Sequence, residues 1–225
     1  MYEFVTGPLA WLAFIVFFAG VIYRVVWYFS GLHWQLDRVA YSTNIRYGIK
    51  GAIRSIFFWI IPFGSVGWRA KPFMTILFFV FHVGLVITPI FVQAHNILLR
   101  ERWGFSLWTM SDVAADTLTV FTLVAAFFLI LRRVVYPEVR ILTTAYDYLV
   151  LAISLAPFIT GFIAYHQYSN HEFWLILHVL CGEIMLVAIP FTKLSHFVLF
   201  FCSRAQIGMD FGIKRGGMKG TNFSW

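Results

Sequence analysis

Long apolar blocks alternate with short polar segments rich in Arg and Lys along this chain. Five blocks, at 8–29, 72–92, 113–131, 143–165 and 173–201, approach or exceed the about 20 residues of helix that span a hydrocarbon core. Backbone groups in lipid must bond within their own segment, so each block is predicted to be a helix. The pattern reads as all-α: a polytopic membrane protein, one five-transmembrane-helix bundle occupying 1–225 as a single domain. The first block lacks the basic leader and small-residue cleavage site of a signal peptide, so it reads as a span.

Two polar regions carry structure of their own. In the segment of about 30–71, Arg46, Lys50 and Arg54 recur every four residues ahead of an apolar run broken by Pro62. This predicts an interfacial helix along the inner leaflet; the rival reading is a sixth span, for which the apolar run is about half the needed length. The tail of about 203–225 is Gly-rich and reads as ordered only by a partner.

Composition narrows the class further. The chain is 60% hydrophobic and 12% charged, against about 25% charged residues in soluble domains. That excludes a water-soluble domain, a disordered chain and a disulfide-stapled secreted module. The net charge of +7 does not indicate nucleic acid, because the cations lie between apolar blocks and not along one polar face. Their placement sets orientation instead. Arg24, Arg38, Arg46, Lys50, Arg54, Arg69, Lys71, Arg132, Arg133, Arg140, Lys193, Arg204, Lys214, Arg215 and Lys219 fall on one side; Arg100 and Arg102 fall on the other. By the positive-inside rule the N-terminus is outside and the C-terminus cytoplasmic.

Titratable residues within the spans suggest chemistry. Intramembrane ionisable groups are costly and point to function. His82 and His95 bracket the second block, and His178 and His196 bracket the fifth. If the fifth block is one helix, the 18 residues from His178 to His196 make five whole turns and put both rings on one face, about 27 Å apart. On this topology His82 meets His196 near the cytoplasm and His95 meets His178 near the outside. Two such pairs are what two bis-imidazole haems require. His82 and His95 are 13 residues apart, which turns them to different faces of an ideal helix. A kink at Pro89, or a helix end before His95, would re-aim the second ring. Gly84 and Gly182 would let a macrocycle approach the backbone, or would serve ordinary helix packing. Glu183 reads as a haem-propionate or proton-path group, or as a structural hydrogen bond. Asp147 reads as a helix cap. Cys181 and Cys202, about 30 Å apart on one continuous helix, read as free thiols. His33, His166 and His171 read as loop or span-end residues.

The stretch His178, Gly182, Pro190-Phe191-Thr192-Lys193-Leu194 and His196 resembles the last helix of the gamma subunit of respiratory nitrate reductase. Leu131-Arg132-Arg133, Pro137, Arg140, Thr143-Thr144 and Asp147, with Phe81-His82 and Gly84, extend the resemblance over roughly 72–200. The resemblance implies a five-helix cytochrome b with two b haems, passing electrons between a quinone pool and a cytoplasmic iron–sulfur subunit. It implies His82 and His196 as ligands of the inner haem and His178 as one ligand of the outer. Where the family has its other second-helix ligand this chain has Val92, so His95 substitutes. The quinol-site lysine of the nitrate reductase subunit is absent; Asp112 and Asp116 lie in its region. The long first loop looks more like the cytochrome b subunits of sulfate reducers' transmembrane complexes, such as the high-molecular-weight cytochrome c complex.

The functional expectation is a dihaem electron-transfer subunit in a bacterial or archaeal cytoplasmic membrane, part of an oxidoreductase complex rather than a stand-alone enzyme. Its cofactors are two haem b held by His82, His95, His178 and His196, with a quinone head-group site at Arg100 and Asp116. Its partners are membrane lipid, a cytoplasmic iron–sulfur subunit, a periplasmic multihaem cytochrome c and other integral membrane subunits, with no nucleic acid. The alternative class is a proton-coupled transporter or channel using intramembrane His and Glu; a purely structural anchor comes third.

Overall fold

The computed structural model describes residues 2–32 and 45–214; His33 and the end of the tail lie outside them. The described residues are helical, with no strand. Five helices are long and apolar enough to cross a membrane: α1 (Tyr2–Ser30), α3 (Pro72–Phe91), α5 (Asp112–Val135), α6 (Ala145–His166) and α7 (His171–Phe191). Between them lie α2 (Ile45–Ile60) and α4 (Gln93–Trp103), and α8 (His196–Lys214) follows the last span. The chain is a multi-pass membrane protein. Ile15, Phe73, Phe121, Leu149 and Ile184 stay exposed on the spans, as a lipid-facing surface requires.

The chain divides into two compact units. One comprises Met1–Ala10 and Ile76–Met185, the other Trp11–Thr75 and Leu186–Trp225.

The first unit packs around Phe81, Ala125, Ala126 and Leu155. Ala125 and Ala126 let its helices approach closely, which matters where lipid supplies no hydrophobic force to pull them together. Gly84 of α3 abuts Thr122 of α5, where a Cβ would collide with the threonine hydroxyl. That hydroxyl is satisfied within its own helix by the Leu118 carbonyl, 2.6 Å away. Ser111 caps α5, and Thr144 with Asp147 forms a capping box at the start of α6, so Asp147 is a cap as expected. α4 ends at Gly104, whose φ of 75° suits a residue without Cβ.

The second unit corrects two expectations. The fifth apolar block is not one helix. α7 ends at Phe191, Thr192 is extended with φ −119° and ψ −173°, and a short 3-10 turn over Lys193–Ser195 precedes α8. Pro190 lies in the last turn and the Thr192 hydroxyl accepts from Leu194 N at 3.2 Å, which favours termination there. The five-turn register between His178 and His196 therefore does not hold, nor does the single-helix separation of Cys181 and Cys202. The Pro190 carbonyl, left without a helical donor, accepts from Arg24 Nε at 2.7 Å.

The tail also departs from expectation. Its segment through Lys214 is the end of α8, ordered within the chain by α2. The two helices run antiparallel in a four-residue register: Tyr47 meets Gly212, Gly51 meets Gly208, and Ser55 accepts from Arg204 at 2.8 and 3.1 Å. Gly51 and Gly208 bring backbone against backbone, so a Cβ on either would strike the other's carbonyl.

Candidate functional site

The His95–His178 pair starts from a break in the second apolar block. α3 stops at Phe91 and Val92 turns extended, with φ −66° and ψ 138°, before α4 begins. His95 thus sits in the next helix, past the end of the span. A break orphans the last carbonyls of a helix, and each must find a donor. His95 Nδ1 donates to Pro89 O at 2.7 Å, Asn96 Nδ2 to Ile90 O at 2.8 Å, and Met110 N to Phe91 O at 2.9 Å. Asn96 also accepts from Leu107 N at 2.8 Å, tying the following loop to the break. The re-aiming that His95 needs comes from this break rather than from a kink at Pro89.

His178 reaches the pair from α7. Its Nδ1 donates to the Pro157 carbonyl of α6 at 2.8 Å, and its ring lies against Gly161, where a Cβ would fall 2.8 Å from ring atoms. Ring centroids of His95 and His178 are 5.8 Å apart, with planes within 17° of parallel. A carbonyl only accepts, so each Nδ1 carries the hydrogen and the neutral ring presents its lone pair at Nε2.

An imidazole nitrogen binds a transition metal at about 2 Å, which places the centroids of two trans imidazoles about 6 Å apart. The observed separation fits. Among the described residues no group of three or more His, Cys, Asp or Glu side chains gathers as a bare metal ion would need. Two protein ligands suit a macrocycle that brings four donors of its own. Around Gly182 there is open space beyond the Cα, whereas Gly84 is filled by Thr122; of these two glycines only Gly182 leaves room for a macrocycle.

His82 and His196 share the same local chemistry. His82 Nδ1 donates to Phe78 O at 2.8 Å in the first unit, and His196 Nδ1 to Lys193 O at 2.7 Å in the second. All four predicted ligands thus have Nδ1 committed to a main-chain carbonyl.

The remaining candidates separate. Asp116 Oδ1 accepts from His166 Nε2 at 2.9 Å, and the His166 ring stacks on Tyr168 with centroids 5.2 Å apart. Arg100 is exposed in the last turn of α4, and among the described residues no contact joins it to Asp116. His166 ends α6 and His171 begins α7 with Nδ1 on Ala164 O at 3.0 Å, so both belong to helix termini and not to a loop. Glu183 is 7% exposed and neither carboxyl oxygen has a hydrogen-bond partner among the described residues. The structural hydrogen bond expected for it is therefore not made there. Both cysteines are free thiols.

Sequence reasoning missed Pro157, Gly161, Asn96 and Met110. A proline and a glycine four residues apart inside one span were the available signal for the seat of a bulky ring.

A protein of Nitratidesulfovibrio vulgaris (strain Hildenborough) is 50% identical to this chain over 226 aligned positions, covering the whole of both. The chain belongs to the family of that protein. No protein-family profile matches it.

Proposed function

We propose that the chain is the dihaem cytochrome b subunit of a respiratory redox complex in the cytoplasmic membrane of a bacterium or archaeon. It moves electrons between a quinone or periplasmic multihaem cytochrome c on the outer side and a cytoplasmic iron–sulfur subunit. The observation that carries this reading is the His95–His178 pair, with centroids 5.8 Å apart and both Nδ1 atoms anchored. Bound haem b supplies a one-electron carrier. His95 and His178 would hold the outer one; the resemblance assigns His82 and His196 to the inner. The main-chain carbonyls of Pro89, Pro157, Phe78 and Lys193 fix each ring and its tautomer. The Asp116–His166 pair, rather than Asp116 with Arg100, is the favoured place for a quinone head group, since aspartate orients the imidazole and leaves its Nδ1 to accept a proton.

A reduced-minus-oxidised visible spectrum of the purified protein tests the reading. A low-spin b-type α-band with two haems per chain is expected. His178→Ala and His196→Ala should each remove one haem and spare the other. His95→Ala should remove the outer haem, whereas His166→Ala and His171→Ala leave it bound. A colourless, folded preparation would sink the proposal.

One observation favours the second reading, a proton-coupled transporter. Glu183 is a buried carboxyl without a hydrogen-bond partner among the described residues, as a proton-carrying group can be. Proton uptake by reconstituted vesicles that is lost in Glu183→Gln, in a protein free of haem, would support it.

A further inference from the structure

The helix α2 displays three stripes. Gly48, Gly51, Ala52 and Ser55 are buried, and α8 covers that side. Ile49, Ile53 and Phe57 form an exposed apolar stripe, Phe57 being 59% exposed. Arg46, Lys50 and Arg54 form a basic row centred about 60° around the helix from the apolar stripe, and neither faces α8. The helix holds no acidic residue, and among the described residues none of the three cations makes an ion pair with a carboxylate. Arg54 Nε is buried without an acceptor, while its guanidinium lies 5.1 Å from the centre of the Phe58 ring. Only the Nε is so enclosed; the two terminal nitrogens of Arg54 stay open to an anionic oxygen.

We propose that this face of α2 is a binding surface for anionic phospholipid. The apolar stripe enters the acyl region and Arg46, Lys50 and Arg54 engage phosphate oxygens at headgroup level. An in-plane helix with cations about a sixth of a turn from its apolar face places charge at that depth. A protein partner would match the basic row alone; the adjoining exposed isoleucines and Phe57 favour lipid. The glycine seam with α8 holds α2 in place, so the face is presented by a rigid pair of helices. This inference does not depend on haem: the visible spectrum reports one property and lipid binding the other.

The test uses the full-length holoprotein in mild detergent, titrated with dioctanoyl phosphatidylglycerol, dioctanoyl phosphatidylcholine or inorganic phosphate, and bound lipid is counted by native mass spectrometry. Phosphatidylglycerol should bind, and Arg46→Gln/Lys50→Gln/Arg54→Gln should weaken it by about tenfold or more with an unchanged haem spectrum. Ile53→Ser should weaken it without any change of charge. Should the triple variant fail to fold, Arg54→Lys alone, which keeps the charge but loses the two-pronged guanidinium donor, should still bind measurably less tightly. Equal binding by wild type and variants would overturn the proposal. So would equal affinity for phosphatidylcholine, or full competition by inorganic phosphate. Unchanged lipid binding with loss of a copurifying soluble subunit would assign the face to a protein instead.

Discussion

Close to His178, one missing Cβ decides whether the ring has a seat. Gly161 leaves the space into which the imidazole packs, and a Cβ there would lie 2.8 Å from ring atoms. Because the Pro157 carbonyl fixes the ring at 2.8 Å, it has little freedom to retreat. On the proposed function, Gly161→Val should therefore cost the protein its outer haem while the inner one stays, read as a halved haem-to-protein ratio with a single remaining α-band component. Gly182→Ala tests the open side of α7 and should shift the band less, since nothing but a macrocycle would meet the added methyl. A second prediction at this scale concerns Cys202. Burial pushes its thiol up from the ordinary range, so less thiolate is present at a given pH. Its alkylation by iodoacetamide at pH 8 should be slower than that of free cysteine, and its rate should keep rising above about pH 9. A rate that levels off below pH 8 would show an activated thiol instead.

The helices themselves were the most legible part of the sequence. Apolar length alone located all five spans, because the membrane imposes one length on every crossing. The break after α7 was not legible. Apolar residues continue through Phe191, Leu194, Phe197 and Phe200, so hydropathy runs on where the backbone turns at Thr192. What stops the helix is local: Pro190, the Thr192 hydroxyl and Arg24 on the freed carbonyl. His95 was legible as an intramembrane titratable residue, but its aim depends on Asn96 and Met110 claiming neighbouring carbonyls, which no periodicity encodes. The partner of a small residue is equally hidden: Gly84 reads the same whether it faces a cofactor or Thr122. The contact it makes is testable. Gly84→Ala should destabilise the protein by about 1–3 kcal/mol in thermal or denaturant unfolding. Thr122→Ala in the same chain should restore most of that loss, because the hydroxyl that collides is removed. Additive losses in the double variant would mean that α3 and α5 do not meet at this point.

For the molecule as a whole, the end of the chain matters more than its glycine-rich composition suggests. Gly208 and Gly212 are half of the α2–α8 seam, and Arg204 adds two hydrogen bonds to Ser55 together with a guanidinium 4.5 Å from the Trp59 ring centre. Burial lowers the Arg204 pKa from its ordinary value, as happens to a cation partly withdrawn from water. A chain stopped before Gly208 should therefore lose melting temperature, by about 4 °C or more. One stopped after Lys214 should retain it. Equal melting temperatures would place the stability elsewhere. On the proposed function, docking of the iron–sulfur subunit is best probed with the longer of the two, since the shorter one confounds assembly with folding.

The anchoring of the four histidines has an evolutionary corollary. Their Nδ1 atoms rest on the carbonyls of Phe78, Pro89, Pro157 and Lys193, and a main-chain acceptor survives any exchange of the side chain that bears it. Had carboxylates served instead, one point mutation could have released a ring. Here the orientation of the rings is buffered against drift at Phe78 and Lys193, and only changes that re-route the backbone, such as an insertion or a new proline, can undo it. Exchange of the side chain at Phe78 or Lys193 should thus leave its histidine ring aimed as before.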